Sequence, residues 1–398
     1  MNFILFDDPV IRIDLLPFTF TRPVAAIRVG ILTIAEKWEK ILGQSVSLST
    51  QDYLSKKFST TLTSDNIWIN GGLCPDEALV KAILSLKSGE GISYQSRILA
   101  FRTPEDEIPE VITGSVKEYQ SEVTLVDKIW KIFQNNGAQI KSDFQLITKG
   151  RKSAPISDKH TRTYNEENIF LEEGATTRGA LLNAENGPIY IGKNAFIHEG
   201  AIIRGPFALC EGAHVNMGAK IRGDVTIGPF SKVGGEVSAS VIFANSNKSH
   251  DGFLGCSVIG EWCNIGADTN TSNLKNNYDT IKLWNYGKQE FIDSGLQFCG
   301  LMLGDHSKCA INTMFNTGTV AGVSSNIFGE GFPRTIIPSF SWGGPNGYAT
   351  YQLTKAFETA SKVTARRGVT FDEVDKQILT KVFELTSKER IWEKKNGQ

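Results

Sequence analysis

The 398-residue chain lacks several features that would place it in a common class of protein. Its six cysteines form no CxxC pair, which argues against a zinc site and is typical of reduced core cysteines. The net charge of −1 gives no electrostatic basis for binding nucleic acid or a membrane surface. No apolar run approaches the ~18 residues of a spanning helix, and Asp7 and Asp8 interrupt the start where a signal peptide would be apolar. We therefore expect a cytoplasmic protein without nucleic-acid or membrane partners.

What the chain does contain is a repeat of six residues. From Ile191 the hexads run IGKNAF, IHEGAI, IRGPFA, LCEGAH, VNMGAK, IRGDVT, IGPFSK and VGGEVS. Each hexad opens with an aliphatic residue and usually has a small residue in its fifth place. A helix repeats near 3.6 residues and a strand alternates every two, so neither explains a period of six. The pattern predicts a parallel β-helix over 165–345, in which three short faces form one triangular coil around the aliphatic side chains.

The segments on either side of the coil have other patterns. Residues 1–155 alternate between apolar strands and helix-like runs, which predicts an α/β domain with ligands at its strand ends. The polar, proline-containing stretch 150–165 is typical of a linker. Residues 346–398 are charged and poor in glycine, so we expect helices there. The chain is therefore predicted to hold two domains and a helical tail.

One stretch inside the coil carries a specific resemblance. Residues 246–273, SNKSHDGFLGCSVIGEWCNIGADTNTSN, resemble the acetyltransferase segment of the bifunctional bacterial family that makes UDP-N-acetylglucosamine. In that alignment His250 falls on the catalytic base, Asn264 and Asn273 fall on acceptor-binding positions, and Ala267 falls on an acetyl-CoA-binding position. The resemblance implies a left-handed β-helix, a homotrimer and acetyl-CoA as co-substrate. It covers nearly the full length and is strongest over 180–345.

Three departures from the family pattern concern the acceptor. Phe253 and Leu274 stand where the family usually has tyrosine, and Ser238 stands where it has a phosphate-binding lysine. We expect basic side chains nearby to compensate. The candidates are Arg222, Lys232 and Lys248.

The first domain departs further, because it lacks the glycine-rich loop with which nucleotidyltransferases hold a triphosphate. The alternative for the cations Arg22, Arg28 and Lys37 is that they are solvated charges on a helix face, but three cations within sixteen residues of an α/β loop favour phosphate binding. Gly30 would allow the backbone to approach phosphate. Asn70 and Gly71 end a strand and are candidates for nucleotide or phosphate binding, and a plain turn is an equally good interpretation. Asp7 and Asp8 also end a strand, where they could hold Mg²⁺ or be ordinary acidic residues. The resemblance implies Mg²⁺ for nucleotidyl transfer, with its ligands unassigned.

The five histidines differ in their surroundings. A lone histidine on a coil usually fills a corner, but the extended match around His250 favours a general base, a role that suits a neutral imidazole at neutral pH. His198 and His214 lie inside ordinary hexads and are interpreted as surface residues. His306, in GDHSK, is the rival candidate, and His160 receives no role.

Two classes of function follow. The leading hypothesis is an acetyl-CoA-dependent N-acetyltransferase acting on an amino-sugar phosphate, joined to a sugar-1-phosphate nucleotidyltransferase. The alternatives are a nucleotidyltransferase whose coil serves assembly alone, and an acyltransferase with a decayed first domain.

Overall fold

The computed structural model describes residues 1–104 and 115–394. Its contacts divide the chain into two compact units, Met1–Ile27 with Leu32–Ile129, and Arg28–Ile31 with Trp130–Gln398. The sequence-based division placed the boundary at 155–165. The difference arises because the helix Ile129–Thr148 belongs to the second unit from Trp130 onward.

The first unit is built on a six-stranded mixed sheet. Its strands are β1 (Asn2–Phe6), β2 (Ser47–Ser49), β3 (Asn66–Asn70), β4 (Glu90–Tyr94), β5 (Arg97–Thr103) and β6 (Ser115–Glu118), in the order β2-β1-β3-β5-β4-β6. The helices are Pro9–Asp14, Ile34–Leu42, Asp52–Ser55 and Glu77–Leu84, with 3₁₀ turns at Phe18–Phe20 and Val24–Ala26. β1 and β3 pair in parallel and are apolar on both faces, as expected of central strands. The predicted α/β domain is confirmed.

The second unit is a parallel β-helix with three faces. The first face contains Arg162–Tyr164, Leu181–Asn183, Ile202–Arg204, Lys220–Ile221, Glu236–Ser238 and Phe253–Gly255, followed by the pair Asn270–Thr271 and Met314–Phe315. The second face contains Ile169–Leu171, Ile189–Ile191, Phe207–Leu209, Val225–Ile227, Val241–Ile242, Val258–Ile259, Met302–Leu303, Val320–Ala321 and Ile336–Ile337. The third face contains Thr176–Thr177, Phe196–Ile197, His214–Val215, Lys232–Val233, Asn247–Lys248, Asn264–Ile265, Lys308–Cys309, Asn326–Ile327 and Ser341–Gly344, closed by the antiparallel strand Gly347–Thr350.

The core of the β-helix consists of the side chains that open the hexads. Ile197, Val215 and Val233 lie in register on the third face and are fully buried. Their outward neighbours, Phe196 and His214 among them, point away from the core because successive strand residues face opposite sides. The hexad prediction of an inward aliphatic column is confirmed.

The N-terminal part of the second unit extends the coil beyond the predicted start. Ile156 packs against the core, and the strand Arg162–Tyr164 pairs with Leu181–Asn183. The stretch 150–165 is therefore partly coil and not a free linker. A 3₁₀ turn at Glu166–Asn168 follows it.

Two further segments belong to the second unit. The excursion in the repeat forms an antiparallel hairpin of Lys282–Asn285 and Glu290–Asp293. The tail forms the helices Leu353–Ala365, Glu373–Leu385 and Ile391–Lys394, with a 3₁₀ turn at Ser387–Glu389. Phe383 of the tail packs edge-on against Phe340 at the end of the coil, 5.0 Å between ring centroids. The predicted helical tail is confirmed.

Candidate functional site

His250 lies at a corner of the β-helix. The strand Asn247–Lys248 precedes it on the third face, and Phe253–Gly255 follows it on the first face. Its side chain is exposed, whereas the neighbouring Lys248 is buried. The corner therefore presents the imidazole to solvent.

The coils below and above hold this corner in place. The side-chain amide of Asn216 donates to the carbonyl oxygen of Ser249 at 2.8 Å, and the backbone N–H of Asp268 donates to that of Asp251 at 3.1 Å. Gly252 has a φ of +108°, and a Cβ there would lie 2.1 Å from the carbonyl oxygen of Thr269. The corner needs glycine at this position, since any side chain would collide with the next coil.

A cleft of about 560 Å³ opens beside His250, between the third face and the end of the helix Leu353–Ala365. Its lining residues are Lys232, Asn245, Asn247, Ser249, His250, Asn264, Ile265, Gly266, Ala267, Ile311, Val363, Arg366 and Arg367. Among these described lining residues three are cationic and none is acidic. Such a cleft favours an anionic ligand.

The tail supplies two of the three cations. Arg367 donates from its guanidinium to the side-chain oxygen of Asn247 at 3.3 Å. Burial, and then the neighbouring Arg366, lower the pKa of Arg367. A bound anion would relieve that repulsion. These arginines have no assigned role in the sequence, because basic residues at the C-terminal end of a helix commonly interact with the helix dipole and do not by themselves indicate a site.

The structure brings four of the predicted acyltransferase residues together. His250, Lys232, Asn264 and Ala267 all line the cleft. Lys248 does not: its side chain is buried, and its ammonium donates to the carbonyl oxygen of His250 at 2.6 Å. The predicted contact of Lys248 with substrate is not seen in this conformation, in which its ammonium group contacts the corner from inside the coil.

Two other predicted acceptor residues lie outside the cleft lining. Arg222 is exposed beside the first face and forms an ion pair with Glu236 at 3.0 Å. Asn273 donates from its amide to the Cys256 sulfur at 3.6 Å. Neither contact brings these side chains to His250.

The remaining histidines have other surroundings. His198 Nε2 lies 3.4 Å from His214 Nδ1, and burial lowers the pKa of both residues, so this pair is neutral at neutral pH. His306 packs against Trp262 and Phe371, with ring centroids 6.4 and 6.2 Å away. Of the five histidines, His250 is the one that lines the cleft.

In the first unit the predicted phosphate-binding residues are engaged with the protein itself. Arg22 and Lys37 are buried, with 6% and 1% of their surface exposed. Asn70 donates to the carbonyl oxygen of Ile98 at 3.1 Å and accepts from the N–H of Gly72 at 3.0 Å. The Gly71 N–H donates to the carbonyl oxygen of Phe6 at 2.8 Å. These bonds build the turn after β3.

Arg28 and Gly30 belong to the second unit, and Gly30 faces its long helix. Arg28 donates to the carbonyl oxygen of Ile31. Gly30 has a φ of +84°, its N–H donates to Asn136, and a Cβ would lie 2.4 Å from an Asp143 carboxylate oxygen. The backbone at Gly30, predicted to approach phosphate, approaches the helix Ile129–Thr148 instead, and that helix fills the space.

The two aspartates considered for Mg²⁺ have their oxygens occupied by donors. Asp7 accepts from the Val24 N–H and the Thr50 hydroxyl and lies 3.5 Å from an Arg12 nitrogen; burial raises its pKa. Asp8 caps the first helix and pairs with Arg97 at 3.2 Å. Neither arrangement fits a Mg²⁺ ligand.

The described residues also lack two larger features. Within 1–104 and 115–394, no group of three or more His, Cys, Asp or Glu side chains could hold a metal ion. None of the helices in the described ranges is long and apolar enough to cross a membrane.

Comparison with known proteins finds similarity to sugar-nucleotide enzymes. Residues 3–152 match the family described as "Sugar nucleotidyl transferase". The chain is 32% identical over 113 residues to "Bifunctional protein GlmU" of Methanococcus aeolicus, which is 28% of this chain and 26% of the relative. It is 34% identical over 93 residues to "Bifunctional sugar-1-phosphate nucleotidylyltransferase/acetyltransferase" of Sulfurisphaera tokodaii, 23% of each chain. The matched part thus spans about a quarter of these curated relatives.

A solved structure titled "UDP-N-acetylglucosamine acyltransferase" covers 49% of this chain and 70% of its own, with 13% identity and a TM-score of 0.22. The Sulfurisphaera tokodaii relative is a transferase by name, and the identities to both curated relatives are low. The chain is therefore similar, at low identity, to bifunctional sugar-1-phosphate nucleotidylyltransferase/acetyltransferases, and its residues 3–152 match the sugar nucleotidyl transferase family.

Proposed function

We infer that this chain is a transferase of sugar-nucleotide biosynthesis with two activities. The coil transfers an acetyl group from acetyl-CoA to the amine of an amino-sugar phosphate such as glucosamine-1-phosphate. The first domain transfers a uridylyl group to the sugar-1-phosphate, giving UDP-N-acetylglucosamine. The observation that carries the acyl-transfer proposal is the cleft in which exposed His250 lies with three cations and, among the lining residues that the structure describes, no acidic side chain.

In the acyl transfer His250 acts as general base. The amine nitrogen attacks the thioester carbonyl carbon while the imidazole takes the amine proton. The C–S bond then breaks, and the proton passes to the leaving sulfur to give the free thiol of coenzyme A. Asn264, exposed at the cleft, supplies an amide donor for the oxygen that becomes negative in the tetrahedral intermediate.

The cations hold the substrates in place and take no part in making or breaking bonds. Lys232 on the coil and Arg366 and Arg367 on the tail bind phosphate groups, of the acceptor or of coenzyme A. Arginine holds phosphate in a fixed, two-pronged geometry, so the reacting amine is held at one distance from His250. Positioning of this kind accelerates a two-substrate reaction by removing its entropic barrier.

One alternative has an observation in its favour. Arg22 and Lys37 are buried, and the space over Gly30 is filled by the long helix. These residues are therefore not free to grip a triphosphate in the described conformation. An acyltransferase with a first domain that no longer transfers nucleotides is the second candidate function.

Mass spectrometry of products separates the candidates. The purified protein is given glucosamine-1-phosphate, acetyl-CoA, UTP and Mg²⁺ together, and then each component is omitted in turn. The bifunctional enzyme forms UDP-N-acetylglucosamine and needs every component. The second candidate forms N-acetylglucosamine-1-phosphate and stops there. A chain that uridylylates N-acetylglucosamine-1-phosphate but never acetylates glucosamine-1-phosphate has a coil without catalytic function.

A further inference from the structure

Lys248 occupies a place in the coil where a lysine is unexpected. On the third face it lies in register with Val233 of the coil below, and the strand above continues with Ile265. Val233 and Ile265 are buried apolar residues, and Lys248 is equally buried, with 2% of its surface exposed. An aliphatic side chain would fill this place without the cost of burying an ammonium group.

The ammonium group is bonded to the corner that carries His250. It donates to the carbonyl oxygen of His250 at 2.6 Å and to that of Asp251 at 3.3 Å. Both acceptors belong to the backbone of the corner, and neither lies on another coil. These two bonds therefore connect the buried ammonium group to the backbone of the two corner residues that follow it closely in the chain.

Other hydrogen bonds fix the residues on either side of His250, whereas the carbonyl oxygen of His250 itself accepts from Lys248. Asn216 holds the carbonyl of Ser249, and the N–H of Asp268 holds that of Asp251. Gly252 lets the chain pass close beneath Thr269. Between these fixed points the carbonyl of His250 is bonded from inside by the lysine.

We propose that Lys248 is a positioning residue that holds His250 in its catalytic orientation through two bonds from the coil interior. The proposal rests on acyl transfer at His250, and it assigns Lys248 a role that does not involve contact with substrate. Losing such support shifts the base relative to the bound amine, and a misplacement of about 1 Å lowers the rate by about 10²-fold.

The test compares Lys248→Met, which keeps the length and apolar stem but removes the donor, with Lys248→Gln, which keeps a donor. Lys308→Met is the matched control, because Lys308 also donates to a backbone carbonyl two residues away, that of His306 at 2.8 Å, and does not line the cleft. We expect Lys248→Met to lower kcat by up to about 10²-fold with KM unchanged. Lys248→Gln restores part of kcat, and Lys308→Met keeps the wild-type value.

Hydrogen exchange gives a readout that does not depend on activity. Peptides covering 249–253 should exchange faster in Lys248→Met, while peptides from the neighbouring coils should not change. An unchanged kcat in folded Lys248→Met overturns the proposal, as does a rise in exchange spread over the whole coil. If Lys248→Met does not fold, the same comparison is made with Lys248→Leu, which also removes the donor and resembles the aliphatic residues at the neighbouring inward positions, Val233 and Ile265.

The two proposals can fail separately. If the wild type acetylates no amino-sugar phosphate, the proposed function fails, and exchange at 249–253 still decides whether Lys248 fixes the corner. Unchanged exchange there would overturn the positioning role whatever the activity of the protein.

Discussion

At the scale of single residues, a buried lysine couples the stability of the coil to pH. Burial lowers the pKa of Lys248 to about 8, and the carboxylates of Asp251 and Asp268 oppose that effect. In the unfolded chain the same lysine keeps its proton up to a pH near 10.5. Between these values the unfolded state binds the extra proton, so a rise in pH favours the folded state.

We therefore expect the wild type to gain stability relative to Lys248→Met as pH rises from about 8 to about 10.5. The gain is about 2–3 kcal/mol over the window, and below pH 8 the difference between the two proteins is constant. Denaturant unfolding at several pH values measures it. A difference that falls across this window would mean that the folded state holds the proton more tightly than the unfolded chain.

The role of Lys248 could not be predicted from the sequence. The hexads predict which way each side chain faces as far as Val233, but the inward residues that follow, Val237 and Ile242, come at shorter spacings. Whether Lys248 points inward therefore depends on strand register, which the structure provides. His250, Asn264 and Ala267 were predicted from local sequence alone, because the motif that carries them is continuous along the chain.

At the scale of structural elements, the corner at 249–252 depends on close contact between successive coils. Gly252 sits against Thr269, whereas Gly218, also at a corner with positive φ, has open space where a Cβ would be. The two glycines share a backbone conformation that disfavours other residues, and they differ in what surrounds them. Comparing substitutions at the two glycines therefore separates the free-energy cost of backbone strain from that of steric collision.

We expect Gly252→Ala to destabilise the protein more than Gly218→Ala. Both pay about 1–2 kcal/mol for the left-handed conformation, and Gly252→Ala pays about 1–3 kcal/mol more for the overlap with Thr269. Thermal melts of the two variants measure the difference. Equal melting temperatures would show that the chain at residue 252 can move away from Thr269 without loss of stability.

The second element is the end of the helix Leu353–Ala365, after which Arg366 and Arg367 line the cleft. Arg366→Gln together with Arg367→Gln should raise KM for a phosphate-bearing substrate by about ten- to a hundredfold per lost charged contact. Lys362→Gln is the control, because Lys362 is an exposed cation on the same helix that does not line the cleft. A similar rise in KM for Lys362→Gln would show that net charge matters and not the cleft.

The elements differ in how well the sequence predicts them. The coil was predicted because its period repeats in every turn. The long helix Ile129–Thr148 was not, because its centre is polar and its buried Asn136 and Asp143 bond to the backbone of Gly30 and Ile31, far away in sequence. Hydrogen bonds between residues so far apart in sequence cannot be predicted from the local pattern and are seen in the folded structure.

At the scale of the whole molecule, the coil exposes large apolar side chains at its corners. Met217 and Ile311 are 73% and 67% exposed, and Ile311 also lines the cleft. Single exposed apolar side chains are also common on monomeric proteins, so these two residues are candidates for an interface that a measurement must test. The homotrimer stays a prediction of the resemblance.

We expect the full-length protein to have three times the mass of one chain in light scattering. Replacement of Met217 by Asp should shift the mass towards one chain, because a carboxylate at an apolar interface is costly to bury. Lys220→Asp serves as the control, since Lys220 is already exposed and charged. A wild-type mass of one chain would contradict the assembly and leave the cleft to a single subunit.

The central claim is that His250 removes a proton from an acceptor amine in the cleft. Release of free thiol from acetyl-CoA in the presence of glucosamine-1-phosphate measures this step for the wild type, His250→Ala and the control His160→Ala, which changes an exposed histidine that does not line the cleft. The account predicts that thiol release requires the amino sugar, falls by about 10²–10⁴-fold in His250→Ala and is unchanged in His160→Ala. Thiol release at the wild-type rate in a folded His250→Ala protein would contradict it.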